Sequence, residues 1–141
     1  MAKTINLDFK GYWREVNKSS IPTESGIYAV YVCKYNPKPE DTVTITKLIY
    51  IGEAEDVNDR ISNHEKWTEW REEVPSGFEL CFSFAGVTSP DRERAECALI
   101  YHHKPTCNDE CKDSFPYEDT TVVSKGRHKF IESPITVKKT T

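Results

Sequence analysis

Leu48-Ile49-Tyr50-Ile51-Gly52 is the stretch on which the fold turns, with the charged run Glu53 to His64 directly behind it. Leu48 to Ile51 is strongly β-forming, and Gly52 stops the run at a point where a backbone without Cβ can turn sharply. Beyond it the sequence predicts a helix from Asp56, as its N-cap, to Trp70 or Glu73, broken by Pro75-Ser76-Gly77. Val57, Arg60, Ile61, His64 and Trp67 share one face of that helix. Arg60 and His64 thus interrupt a stripe that is otherwise apolar, and a half-buried cation needs a partner to offset its desolvation. Asp56, Glu96 or an anion brought by a substrate meets that need.

Working outward, Gly26 to Cys33 is the clearest strand, and Asn36 to Asp41, with two prolines, is an exposed loop. Thr42 to Ile51 returns as a second strand. An antiparallel hairpin brings Tyr50 back toward Tyr28. Tyr12, Trp13 and Val16 lie on one side of a short helix between Gly11 and Ser20. Phe78 to Val87 alternates as a third strand. Ser89-Pro90 opens a second helix that runs to His103 and ends before Pro105. Cys107 to Tyr117 reads as acidic loop, and Ile135 to Val137 as a short last strand.

A chain of 141 residues suits one domain that buries roughly two thirds of its unfolded surface. Met1 to Lys10 lacks the apolar run of a signal peptide or membrane helix, so the expectation is a soluble, cytoplasmic protein with no membrane partner. Five cysteines, an odd number, read as reduced thiols without a secretory segment. The net charge of -4 argues against tight non-specific nucleic-acid binding. The charge is uneven, however: the last twenty residues carry Lys125, Arg127, Lys129, Lys138 and Lys139 against Glu132 alone.

The second helix adds a carboxylate. Arg92, Ala95, Glu96, Leu99 and His103 share one side, which places Glu96 among core-facing residues. There it needs a salt bridge with Arg60, Arg92 or Arg94, or a bound cation. One carboxylate is a weak Mg²⁺ site, because that ion keeps several waters and takes further oxygens from a phosphate.

Together Gly26-Ile27-Tyr28, Tyr50-Ile51-Gly52, Arg60, His64, Glu96 and Asn108 resemble the ordered signature of the GIY-YIG endonuclease family. The downstream register makes the resemblance specific: Arg60 lies 10 residues past Tyr50, His64 about a helical turn later, and Asn108 12 past Glu96. The resemblance covers Gly26 to Asn108. It implies an α/β (α+β) fold, a small, mainly antiparallel three-stranded central sheet flanked by helices. The chain is then one domain, 1–141, with a catalytic core at 26–108, an N-terminal helical extension at 1–25 and a basic, partly flexible C-terminal extension at 109–141.

The resemblance further implies a DNA endonuclease yielding a 5′-phosphate and a 3′-hydroxyl, with Mg²⁺ or Mn²⁺ held by Glu96. Arg60 neutralises the scissile phosphate, Tyr28 orients groups through its hydroxyl, and Asn108 secures the loop or the surroundings of the metal. Tyr50 is the candidate for activating water, with His64 as relay or alternative base; a tyrosine of ordinary pKa near ~10 needs help in that role. Glu53, Glu55 and Asp56 crowd the phosphate site with like charge. No DNA-reading module is recognisable, so specificity falls to loops, a homodimer or a partner protein. A second reading is a catalytically silent module of the same fold that binds DNA or protein. A third is a small zinc-binding domain using His102, His103, Cys107 and Cys111. Trp67 and Trp70 read first as packing and second as base-stacking side chains.

Overall fold

Ile5, Leu7 and Phe9 alternate with Asn6, Asp8 and Lys10, and all three are buried. In the computed structural model, which describes residues 1–140, they belong to a long strand, β1 (Lys3–Arg14), followed by a 3₁₀ turn at Glu15–Ser20. The helical extension expected before Gly26 is thus a strand in the sheet interior. β2 (Gly26–Asn36) and β3 (Thr42–Ala54) form the expected antiparallel hairpin across the proline-containing loop. β4 (Glu79–Gly86) pairs antiparallel with both β2 and β1. β5 (Thr120–Gly126) then runs parallel to β1, and β6 (Ile135–Val137) closes the far edge.

The order is β3-β2-β4-β1-β5-β6, a mixed six-stranded sheet curled into a half-barrel. This corrects the three-stranded sheet flanked by helices: the chain is 22% helical, and strands from both supposed extensions complete the sheet. The physical reason is period-2 alternation at both ends of the chain, Ile5-Leu7-Phe9 and Thr120-Val122-Ser124, whose inward side chains are all buried.

The predicted helix after Gly52 is two pieces, α1 (Val57–Ser62) and α2 (Trp67–Glu72), with His64 in the break. Asp56 caps α1 as expected, accepting the Asp59 N–H at 3.0 Å. α3 (Asp91–His103) ends at Lys104, which adopts a left-handed conformation at φ 47°.

β2 is buried on both faces. Its odd-numbered residues Ile27, Ala29 and Tyr31 join Ala95, Ala98 and Leu99 of α3 in one core layer. Its even-numbered residues Tyr28, Val30 and Val32 join Val57, Ile61 and Trp70 in the other. Trp70 is fully buried and Trp67 stacks on Phe82, so both tryptophans pack. Cys97 and Cys111 form a disulfide tying α3 to the following loop, where reduced thiols were expected; Cys33, Cys81 and Cys107 are free. No helix among the described residues is long and apolar enough to cross a membrane.

Candidate functional site

β3 is an edge strand, and the cleft of interest opens beside its end, where the two core layers meet. The cleft holds about 270 Å³ and is lined by Tyr28, Tyr50, Arg60, Glu96 and Asn108, together with Glu53, Glu65, Lys66, Asp109 and Glu110. Five of the six sequence-derived residues therefore reach one cavity directly. His64, the sixth, stands behind it against Tyr28. A larger cavity of about 450 Å³, near Tyr12, Arg14, Tyr35 and Arg127, contains none of the six.

Gly52 makes the tyrosine arrangement fit. Tyr28 and Gly52 are paired across β2 and β3, and a Cβ at Gly52 would lie 2.3 Å from the Tyr28 Cζ and hydroxyl. With hydrogen there instead, Tyr28 lies over the strand and stacks with Tyr50, ring centroids 6.1 Å apart. Gly52→Ala is therefore expected to displace the Tyr28 ring and destabilise the fold by about 1–3 kcal/mol, read as a lower urea midpoint. An unchanged midpoint would show that the ring moves aside freely.

His64 is held from three sides. Its Nδ1 accepts the Lys66 backbone N–H at 3.0 Å, its Nε2 lies 2.9 Å from the Tyr28 hydroxyl, and Trp70 covers the ring at 4.4 Å between centroids. An acceptor at Nδ1 leaves the neutral ring's proton on Nε2, which donates to Tyr28. The Tyr28 O–H is then free to point elsewhere. Desolvation, reinforced by the Arg60 charge, pushes the His64 pKa down to about 4. With Nδ1 occupied and Nε2 protonated, His64 orients Tyr28 and has no lone pair to offer as a base. Desolvation and the nearby Glu96 push Tyr50 up to about 12, so it is a neutral phenol at pH 7. Desolvation likewise raises Tyr28.

Arg60 pairs with neither Asp56 nor Glu96. Its two terminal nitrogens contact Glu65 at 2.6 and 2.8 Å, and this fork holds the Glu65 carboxyl down to about 2. Glu65 escaped the sequence reading because an unbroken helix turns it away from Arg60; the break after Ser62 brings it round. Arg92 binds Glu53 at 2.5 Å and the Ser25 hydroxyl at 2.7 Å, which neutralises the acid suspected of repelling phosphate. Arg94 is engaged by Thr120 and by the carbonyls of Met1, Glu118 and Asp119. Lys66 reaches Asp109 at 2.5 Å.

Each arginine proposed as a counter-ion for Glu96 is thus occupied elsewhere, and among the described residues Glu96 forms no salt bridge. Desolvation first, then the charges of Glu53, Glu110 and Glu93, raise its carboxyl to about 8. A half-buried carboxyl surrounded by carboxylates is an environment that favours a cation or a proton. Carboxylate oxygens are hard donors of the kind that suit Mg²⁺ or Mn²⁺, and Glu96 is the half-buried one of these acids with no cationic side chain on its carboxyl, Glu53 being paired with Arg92 and Glu110 exposed. Asn108 turns its side chain to β3 instead. Its Oδ1 accepts the Ile51 N–H at 2.9 Å and its Nδ2 donates to the Ile51 carbonyl at 2.8 Å.

Set against known proteins, the chain matches no family model, no curated protein and no solved structure. Support for any family reading therefore comes from the residues quoted above and from the cleft they share.

Proposed function

We propose that the protein is a divalent-metal-dependent DNA endonuclease of the GIY-YIG type, acting at the cleft beside β3. The observation that carries this reading is the convergence of Tyr28, Tyr50, Arg60 and Glu96 from separate chain segments on one cavity, around a carboxyl with no cationic partner. A cation at Glu96 would supply charge neutralisation for the scissile phosphate and the leaving oxygen.

The chain's own groups do the rest. Arg60 exchanges Glu65 for a non-bridging phosphate oxygen pair, a fork geometry equally suited to either anion. Tyr28, fixed by the His64 Nε2–H, donates its hydroxyl proton toward the phosphate. Tyr50 is the group left to take the proton of the attacking water, and Arg60 favours its ionised form while burial opposes it. The acidic lining makes non-specific DNA binding weak and salt-sensitive, so a partner or the basic residues beyond Gly126 would assist capture.

The test is cleavage of supercoiled and branched DNA with Mg²⁺ or Mn²⁺. The parent protein should cut, and Arg60→Ala should abolish cutting without loss of fold. Glu65→Gln should do the reverse: with the guanidinium released, DNA affinity rises several-fold, seen as a lower KM. Equal activity in parent and Arg60→Ala would remove the assignment. One observation favours the silent-module reading, the occupied Arg60 fork. DNA binding with no cleavage in either the parent or Glu65→Gln would establish that reading.

A further inference from the structure

The His102, His103, Cys107 and Cys111 set considered for zinc does not assemble. Cys111 is bonded to Cys97, and Cys107 is buried in the layer beneath α1 and α2. The two histidines find a different third group, Glu132, at the C-terminal end of α3.

Neighbouring side chains on a helix diverge, but α3 ends at His103 and the chain turns at Lys104, and the two imidazoles come to 4.7 Å between centroids. One nitrogen from each ring and a Glu132 carboxylate oxygen lie within 4.8 Å of one another. His102 Nε2 is 2.5 Å from Glu132 Oε1, and His103 Nε2 accepts the Glu132 backbone N–H at 3.2 Å. That nitrogen is unprotonated, and its single lone pair is held by this long backbone hydrogen bond, which a metal ion would displace.

Glu132 is held in place by its neighbours in the chain. Ile131 is buried and donates its N–H to the His128 carbonyl at 2.9 Å, while Ser133 Oγ accepts the Ser124 N–H at 2.7 Å. The turn thus delivers a carboxylate to the C-terminal end of a 13-residue helix, where the helix dipole favours positive charge. Lys138 and Lys139 line the adjoining cavity with His102, but they lie 3.7 and 3.6 Å from Asp119 and Glu118, which offset their charge.

We propose that His102, His103 and Glu132 form a surface transition-metal site that takes Zn²⁺. Two imidazole nitrogens and one carboxylate oxygen suit zinc and the other late first-row divalent ions, whereas Mg²⁺ prefers all-oxygen surroundings. Three protein ligands leave a coordination position for water or for a donor from another molecule. The site stands whether or not the cleft beside β3 is a nuclease centre.

The experiment is calorimetric titration of the chelator-stripped full chain with Zn²⁺ in excess Mg²⁺, joined to X-ray absorption at the zinc edge. One equivalent should bind through nitrogen and oxygen neighbours only. Removing a ligand, in His103→Ala or in Glu132→Gln at an exposed position, should weaken binding on the order of 100-fold, while Glu96→Gln leaves it unchanged. Circular dichroism keeps misfolding apart from ligand loss, and Glu132→Gln settles the matter if His103→Ala fails to fold. Absence of binding, sulfur neighbours at the metal, equal affinity in Glu132→Gln, or loss of binding in Glu96→Gln would each overturn the site.

Discussion

Glu96→Gln is expected to abolish Mg²⁺-dependent cleavage and, at the same time, to stabilise the protein at alkaline pH. The second effect follows from the sign of the shift. Unfolded, the carboxyl titrates near its ordinary value; folded, burial and three acidic neighbours raise it to about 8. Between those values the native state binds the extra proton, so native stability falls as pH rises through that window and stays low above it. Gln cannot ionise, so the variant and the parent should be equally stable below about pH 4.5, diverge up to about pH 8 and keep a constant gap above it. At about 1.4 kcal/mol per pH unit, the gap should reach a few kcal/mol. His64 titrates in the opposite sense: its depressed pKa weakens the native state as pH falls below about 6.5, but this slope is common to both proteins and cancels in the difference. Denaturation curves at pH 4, 6 and 9 measure the divergence, and a plasmid-nicking assay measures the activity. A variant that still cuts would remove Glu96 from the chemistry. Parallel stability curves would mean the carboxyl is solvated in both states.

Asn108→Ala is expected to cost the most stability of the substitutions considered. β3 is a sheet edge, and Cys107 and Asn108 cover it as a strand would, with the Cys107 N–H on the Ile49 carbonyl at 2.9 Å and the Asn108 amide on both polar groups of Ile51. Ile51 is fully buried. Truncation leaves an N–H and a carbonyl without partners, at about 1–3 kcal/mol each, so a loss near ~3 kcal/mol and a fall of roughly 10 °C in Tm should result. Asn108→Asp should be little better, because a carboxylate cannot donate to the Ile51 carbonyl. Faster hydrogen exchange at the Ile51 amide would locate the damage, and a Tm within two degrees of the parent would show that water replaces both bonds. The resemblance implies that Asn108 secures the loop or the surroundings of the metal; in the fold its side-chain amide pairs with Ile51 of β3.

The resemblance carried by Tyr28, Tyr50, Arg60, Glu96 and Asn108 implied a shared site, and all five line one cleft. What their charges do to one another was not legible. Asp56, one turn away, or Glu96, on the second helix, could be the partner of Arg60, yet it reaches Glu65 because the helix breaks after Ser62. Glu53 looked repulsive in the sequence and is neutralised by Arg92, a residue on α3. The resemblance implies His64 as relay or alternative base; that its Nδ1 is occupied by the Lys66 backbone N–H, with Nε2 against the Tyr28 hydroxyl, is visible only in the fold.

By itself the sequence determined the local elements around Gly52: a β-run ended by a residue without Cβ, a capped helix start at Asp56, a hairpin loop with two prolines, and a second helix bounded by Pro90 and Pro105. These depend on backbone sterics and on hydrogen bonds between near neighbours, which each residue carries with it. Tertiary structure alone decided that Ile5-Leu7-Phe9 and Thr120-Val122-Ser124 pair as parallel strands and enlarge the sheet to six. It also decided which acid each arginine meets and that Glu132 joins His102 and His103. Most such pairings join residues far apart in the chain, the Arg60–Glu65 pair depends on a break in the helix, and the energy of each depends on burial and distance, which no local pattern encodes.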